Sequence, residues 1–506
     1  MTEAERPTPP RRADAVVVGG GLAGLTAALD LADAGASVVL VERRRRLGGL
    51  TWSFEHAGRW IDNGQHVFLR CCEAYLGFLE RIGSAGDVEL QQRLEVTAVR
   101  PAGTPGGRPR VGTLRRSNLP APLQLGPALL RYPHLGVAGR IGAGRAALAL
   151  RRVDLSDPAL DTETFAAWLG RHGQGPAAVA ALWDLITVAT VNLPAREASL
   201  AVAAMVWKTG LLTDPAAADI GWARVPLGRL HGARAADALA RAGVLVALGR
   251  RAGRVELLEP SLAGRGRFSV PTRPDGAGGA GGAGGAAHAA HAADSAHAVD
   301  AGGTIDAIEA DAVVVAVPHG AAGDVLPAGA IRAQESLGQL GTSAIVNVHV
   351  VYDRCVMDRP LLAGVGSALQ WVFDRTVSSG LAPPAGTGPQ YLAVSLSAAD
   401  HLLRRHPDAI AGEVLAELPR LLPAAAGATV LDTLVTKERA ATFRAVPGTA
   451  QLRPTAETAF GGLAVAGAWT ATGWPATMEG AVRSGHAASA AALRPLTDRT
   501  FSEEVA

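Results

Sequence analysis

The chain has 506 residues, enough for two or three domains, and 48% hydrophobic residues supply large cores. Its formal net charge of +2, with both signs mixed throughout, gives no electrostatic case for nucleic acid as a partner. Three cysteines, Cys71, Cys72 and Cys355, are too few for a disulfide framework, so a reducing cytoplasm fits.

No stretch offers about 20 uninterrupted apolar residues, so no membrane span is expected. The longest candidate, Ala177 to Leu193, carries Asp184 and reads as a buried helix. Residues 1–12 are polar and proline-rich, lack the apolar core of a signal peptide, and read as a disordered lead-in.

Residues 13–49 organise the rest: ADAVVVGGGLAGLTAALDLADAGASVVLVERRRRLGG. Ala15 to Val18 suit a parallel strand buried on both faces. Gly19, Gly21 and Gly24 then give GxGxxG, for a tight turn, a close backbone approach to a pyrophosphate and close helix packing. Leu22, Leu25, Leu29 and Ala32 recur at helical spacing, and Gly35 fits a helix C-cap. Val38 to Val41 form a second strand, closed by Glu42, whose carboxylate can accept both ribose hydroxyls of an adenosine. A lone glycine turn is weak evidence, but strand, helix and acid together point to a dinucleotide on the helix N-terminus. Arg43 to Arg46 admit a 2′-phosphate, which Glu42 would repel; they read more simply as a solvated loop. Gly48 and Gly49 bring a second stretch of backbone to the pyrophosphate and favour FAD over NAD.

Residues 50–83 read as strand and then an amphipathic helix carrying Tyr75, Leu76, Phe78, Leu79 and Ile82. Between them Asp62-Asn63-Gly64-Gln65-His66 is either a simple turn or a polar group close to the flavin. Val96 to Gly112 suggest short strands and turns. Residues 115–152 carry arginines and no acid, which fits either an ordinary helical pair or a face resting on an anionic membrane.

A helix over 162–193 is expected, with Thr162 as N-cap. Gly243 to Leu248 and Val255 to Leu258 read as strands, and 272–303 as a flexible low-complexity insert. Its His288, His291 and His297 lack a packed frame, so no metal site is expected. Asp311 to Pro318, 342–352 and 390–397 are strand-like, with a helix over Ala398 to Leu422. Leu463 to Ala466 form a last buried strand before a helix beginning near Ala476, which implies that the chain returns to the first domain.

GGGLAG with Glu42 and Gly48-Gly49, the ADAVVVAVP strand and the closing GLAVAGAWTATGWPATMEGAVRSG resemble the FAD-dependent amine oxidase and phytoene desaturase class. Within it, WIDNGQHVFLRCCEAYLGFLERIG, LPAPLQLGPALLRYPHL, ALWDLITVATVNLPAREASL and WTATGWPATMEGAVRSG look like the hydroxysqualene dehydroxylases. The resemblance implies an α/β fold: a Rossmann-type FAD domain from 13–70, 228–320 and 455–495, and a mixed-sheet and helical substrate domain from 71–227 and 321–454. It implies reductive dehydroxylation of hydroxysqualene, a membrane-borne polyprenoid, to squalene, with an unknown reductant. The alternatives are an oxidative polyprenoid desaturase or amine oxidase, and a non-catalytic prenyl-lipid binder.

The implied cofactor set is Gly19, Gly21, Leu22, Ala23, Gly24, Glu42, Arg43, Gly48, Gly49, Leu50, Val255, Gly467, Ala468, Thr477 and Met478. The final helix would set free N–H groups by the flavin N1 and O2 edge. Asp62, His66 and Glu479 are candidate acids for the leaving hydroxyl, Glu479 being equally suited to favour the first turn of the final helix. Trp469 and Trp474 are a candidate aromatic wall or simple packing. The class usually has an acid after the last-strand glycine and Arg after the glycine pair, where this chain has Ala468 and Leu50; both changes would remove cofactor contacts.

Overall fold

The computed structural model describes residues 10–258, 267–275, 306–381 and 388–503, with side chains to 494. β1 (Arg12–Val18), α1 (Leu22–Asp33) and β2 (Val38–Glu42) form where the apolar runs and glycine turn predict them. Gly35 follows the helix at φ 86°. A parallel sheet runs in the order Leu245–Leu248, β2, β1, Asp306–Val315, Leu463–Val465. Phe268–Pro274 pairs antiparallel with Asp306–Val315. Valines dominate the middle of this sheet because both faces are covered and neither needs a polar alternation.

The last strand does return to this sheet, as its apolar run required. The final helix Met478–Glu503 then crosses α1 so closely that a Cβ on Gly485 would stand 2.5 Å from the Ala23 carbonyl oxygen. A second, seven-stranded sheet joins Val430–Thr442, Ser343–Tyr352, Gln390–Leu396, Trp371–Asp374, Leu361–Gly364, Glu95–Arg100 and Arg110–Arg115 in that order. Helices between 126 and 212 pack on its far end around an aromatic cluster in which Trp183 and Trp207 lie 4.5 Å apart. The hairpin Ser53–His56/Arg59–Asp62 leads from the first sheet toward the second.

Several boundaries differ from the sequence reading. Thr164, not Thr162, caps its helix, its hydroxyl accepting the Ala167 N–H at 3.3 Å, while Thr162 lies in a preceding 3-10 turn. Residues 272–274 belong to a paired strand, so the insert starts later; the remainder, 276–303, and its three histidines lie outside the described residues. The helix expected from Ala398 spans Pro407–Leu421, because Pro407 fits a first helical turn and the 398–406 segment is turned back by Ala398 at φ 51°. The final helix starts at Met478, two residues after the expected Ala476.

Candidate active site

Four parallel strands end in register. Val18 pairs with Val41 on one side and Val315 on the other, and Val315 pairs with Val465. Gly19, Ala316 and Ala466 therefore leave the sheet along its carboxyl edge, beside Glu42 as the last residue of β2, where open α/β sheets bind their ligands.

The three glycines of the turn have different reasons. Gly19 turns at φ 112°, and a Cβ there would stand 2.4 Å from the Ala316 carbonyl oxygen. On Gly24 it would stand 1.9 Å from the Gly19 carbonyl oxygen, so packing alone forbids it. Gly21 is roomier, its nearest neighbour being Gly49 Cα at 3.8 Å. On Gly49, at φ 58°, a Cβ would stand 2.8 Å from Gly21 Cα. Bare main chain from both segments thus meets at the N-terminus of α1, which has no side-chain cap and no acid in its first turn. Leu22 and Ala23 open that helix with buried side chains. Uncapped N–H groups and the helix dipole favour an anion there. Beside it Glu42 accepts the Gly20 and Arg44 N–H groups at 2.6 and 2.7 Å. A cradle that a Cβ would fill, a free helix N-terminus and a carboxylate at the strand end fit the dinucleotide half of FAD.

The arginine run is not the solvated loop expected. Arg44 and Arg46 both donate to the Gly49 carbonyl, at 3.3 and 3.0 Å, and Arg46 lies 4.3 Å over the Trp52 ring. Burial, with help from Arg44, pulls the Arg46 guanidinium down to about 10. Arg43 is partly buried, and Leu50 is exposed beyond the latched glycine pair. Val255 is buried, its side chain is packed in the core beside the first sheet, and its N–H donates to the Val325 carbonyl at 2.8 Å.

At the other end of the sheet edge, Gly467 sits at φ 144° and donates its N–H to the Ser484 hydroxyl at 2.8 Å. Trp469 is buried and spends its indole N–H on the Val317 carbonyl at 2.9 Å. Trp474 keeps partial exposure with Arg483 5.1 Å over its ring. Ala468 offers its carbonyl to Arg453, which also binds the carbonyls of Trp469, Thr470 and Trp474. Arg453 therefore ties this loop together, a role for which the sequence carries no local signal. Thr477 accepts the Gly480 N–H at 3.1 Å and caps the helix that Met478 opens. Glu479 is buried and accepts the N–H groups of Ala74 and Tyr75 at 3.3 and 2.7 Å, while Arg483 donates to it at 2.6 Å. It caps the neighbouring helix Glu73–Arg81 instead of its own.

Between the two sheets lies a buried polar cluster. Asp62, 6% exposed, accepts from the Ser53 hydroxyl at 2.6 Å, the Leu227 N–H at 3.0 Å and Arg375 at 2.7 Å. All its bonds are as an acceptor. His66 lies deep in the protein yet keeps some accessible surface. Desolvation by burial pulls its imidazole down to about 4, against the pull of nearby Asp62. Tyr391 and His349 share a hydrogen bond of 2.7 Å, as do Tyr75 and His231, and burial holds both tyrosine hydroxyls well above their usual range. Asn347 donates to the Asn63 carbonyl at 3.2 Å, binding the 62–66 loop to the second sheet. Among the described residues, the buried atoms Gln65 Nε2, Asn347 Oδ1 and Arg375 Nε have no protein partner. Such a set can bind a substrate hydroxyl. The sequence singled out Asp62 and His66 but not Arg375, Tyr391, His349 or His231, which come from distant segments.

The family model of flavin-containing amine oxidoreductases matches residues 22–213 and 293–493. A hydroxysqualene dehydroxylase of Rhodopseudomonas palustris is 29% identical over 94% of this chain and 96% of its own length. One of Zymomonas mobilis is 25% identical over 94% and 98%. Among solved structures, cyclohexylamine oxidase of Brevibacterium oxydans shares the fold, with a TM-score of 0.65 and 20% identity over 96% of this chain and 100% of that one. The chain belongs to the flavin-containing amine oxidoreductase family and is an FAD-dependent oxidoreductase.

Proposed function

We propose that this enzyme removes the hydroxyl of hydroxysqualene reductively and yields squalene. The observation that carries the reading is likeness to hydroxysqualene dehydroxylases along nearly the whole chain, from the glycine turn to the final helix. The overall change is balanced: the C–O bond breaks, hydride adds to carbon, and the hydroxyl leaves with a proton as water. FAD in its reduced form supplies the hydride when bound.

In this reading residues 13–70, 228–320 and 455–495 hold the cofactor, and 71–227 and 321–454 hold the polyprenoid. Gly19, Gly21, Leu22, Ala23 and Gly24 take the pyrophosphate, Glu42 the adenosine ribose, and Thr477 and Met478 the flavin edge at the final helix. His66 is the acid candidate the geometry favours, because Asp62 and Glu479 are engaged as acceptors while His66 keeps accessible surface. An imidazolium held at a low pKa is a strong proton donor once formed. Trp474 suits an aromatic wall better than Trp469, whose N–H and faces are spent in the core.

The test is to give the purified protein hydroxysqualene and a flavin reductant and to look for squalene. Squalene supports the reading. Desaturated or deaminated products formed from polyprenoid or amine without reductant would replace it with an oxidative one, and a chain without flavin would leave only lipid binding.

A further inference from the structure

We infer that the surface built by residues 119–148 docks on an anionic lipid bilayer. From Val96 to Val153 the chain contains ten arginines and no Asp or Glu. Six of the fifteen exposed large apolar side chains among the described residues fall in this short stretch: Leu119, Leu123, Leu130, Val137, Ile141 and Leu148.

The helix Val137–Arg151 has two apolar faces. At 3.6 residues per turn Ala143, Ala146 and Leu150 point one way, and they are buried in the aromatic core. Val137, Ile141 and Leu148 fall within about 40° of one another on the opposite side, and are 70%, 56% and 44% exposed. A helix that served only its own domain would carry polar residues there. Arg140 and Arg151 flank this outer stripe on one side and Arg145 on the other. Arg140 donates to the carbonyls of Leu130 and Leu135, which sets the exposed Leu130 beside the start of the stripe. No ion pair to a carboxylate engages Arg131, Arg145, Arg151 or Arg152 among the described residues.

Apolar side chains ringed by unpaired arginines match the interface of a bilayer, where the stripe enters the acyl boundary and the guanidinium groups meet lipid phosphates. A second copy of the chain is a poor fit, since two such faces would bring their arginines together. No described helix is long and apolar enough to cross a membrane, so the contact is one of docking. The inference stands apart from the identity of the substrate.

Co-sedimentation of the flavin-loaded protein with vesicles tests it. Vesicles of phosphatidylcholine containing phosphatidylglycerol should pellet the protein, pure phosphatidylcholine much less, and added salt should weaken the binding. V137D/I141D/L148D should bind about tenfold or more weakly, and R131Q/R145Q/R151Q/R152Q should lose the preference for phosphatidylglycerol. Absence of binding by the unaltered protein, or equal binding by the aspartate variant, overturns the inference. So does a concentration-dependent dimer of the unaltered protein that the aspartate variant dissolves. Should that variant lose its flavin or its circular dichroism, hydrogen exchange of the unaltered protein decides: protection over 126–151 on adding anionic vesicles supports docking, and its absence refutes it.

Discussion

Arg375 Nη2 lies 2.7 Å from Asp62 Oδ2, with both side chains buried. The pair fastens the hairpin that leaves the cofactor sheet to the strand Trp371–Asp374 of the second sheet. Removing one partner leaves the other charge buried and unpaired, so D62N and R375Q should each cost about 3–5 kcal/mol of stability. The double change D62L/R375M should cost less than either, since no charge is stranded. Thermal unfolding of the three variants checks this, and a double variant as unstable as the sum of the singles would disprove it.

In the proposed site Gly21 serves cofactor binding and Gly24 serves packing. Gly21 has φ −80° and room for a methyl group, whereas a Cβ on Gly24 runs into the Gly19 carbonyl. G21A should therefore keep its melting behaviour without flavin while its FAD affinity falls about tenfold or more, because the methyl occupies the strip proposed for the pyrophosphate. G24A should lose stability with or without FAD. Calorimetric titration with FAD beside melting curves distinguishes them; undiminished FAD affinity in G21A would move the pyrophosphate elsewhere.

Acid should loosen the site. His66 is held down to about 4, and His231 and His349 to about 3, all chiefly by burial. Below the ordinary histidine value of 6.5 the unfolded chain binds protons that these folded imidazoles refuse. Stability therefore rises with pH across that window and is lost as pH falls from 6.5 toward 4. His486, raised by Asp30, works in the opposite direction, so H486Q should steepen the loss. A melting temperature that stays flat between about pH 7 and about pH 4.5 would rule out three neutral buried imidazoles. With His66 as acid, single-turnover hydride transfer should accelerate over the same fall, and H66Q should abolish that dependence.

Glu479 should matter to folding more than to chemistry. Its carboxylate holds two N–H groups of a neighbouring helix and the Arg483 guanidinium. E479Q should lose about 1–3 kcal/mol of stability and leave single-turnover flavin oxidation by hydroxysqualene unchanged. A normal melting curve with slowed flavin oxidation would return Glu479 to the list of acids.

The first sheet was legible because its constraints are local. A valine run, a glycine turn and an acid at the next strand end each act over a few residues, and the return of Leu463–Val465 followed from an apolar strand needing a partner. Asp62 and His66 were legible as polar residues after the glycine pair, but Asp62 ends the strand Arg59–Asp62 and does not lie in the expected turn. Thr164 was misread as Thr162 because both residues suit an N-cap and only the path of the following helix chooses between them.

What the sequence alone determined is the glycine turn and its acid: Gly19, Gly21, Gly24 and Glu42 stand within one strand–helix–strand unit, with Gly48 and Gly49 just beyond it, where short spacing fixes geometry. Only the tertiary structure decided what surrounds it. Arg46 turned from solvent onto the Gly49 carbonyl, Glu479 reached back 404 residues to Tyr75, and Arg375 came 313 residues to Asp62. Such pairings depend on how two sheets dock. A charged side chain carries the same local signal whether its partner is water or a buried group of the opposite sign.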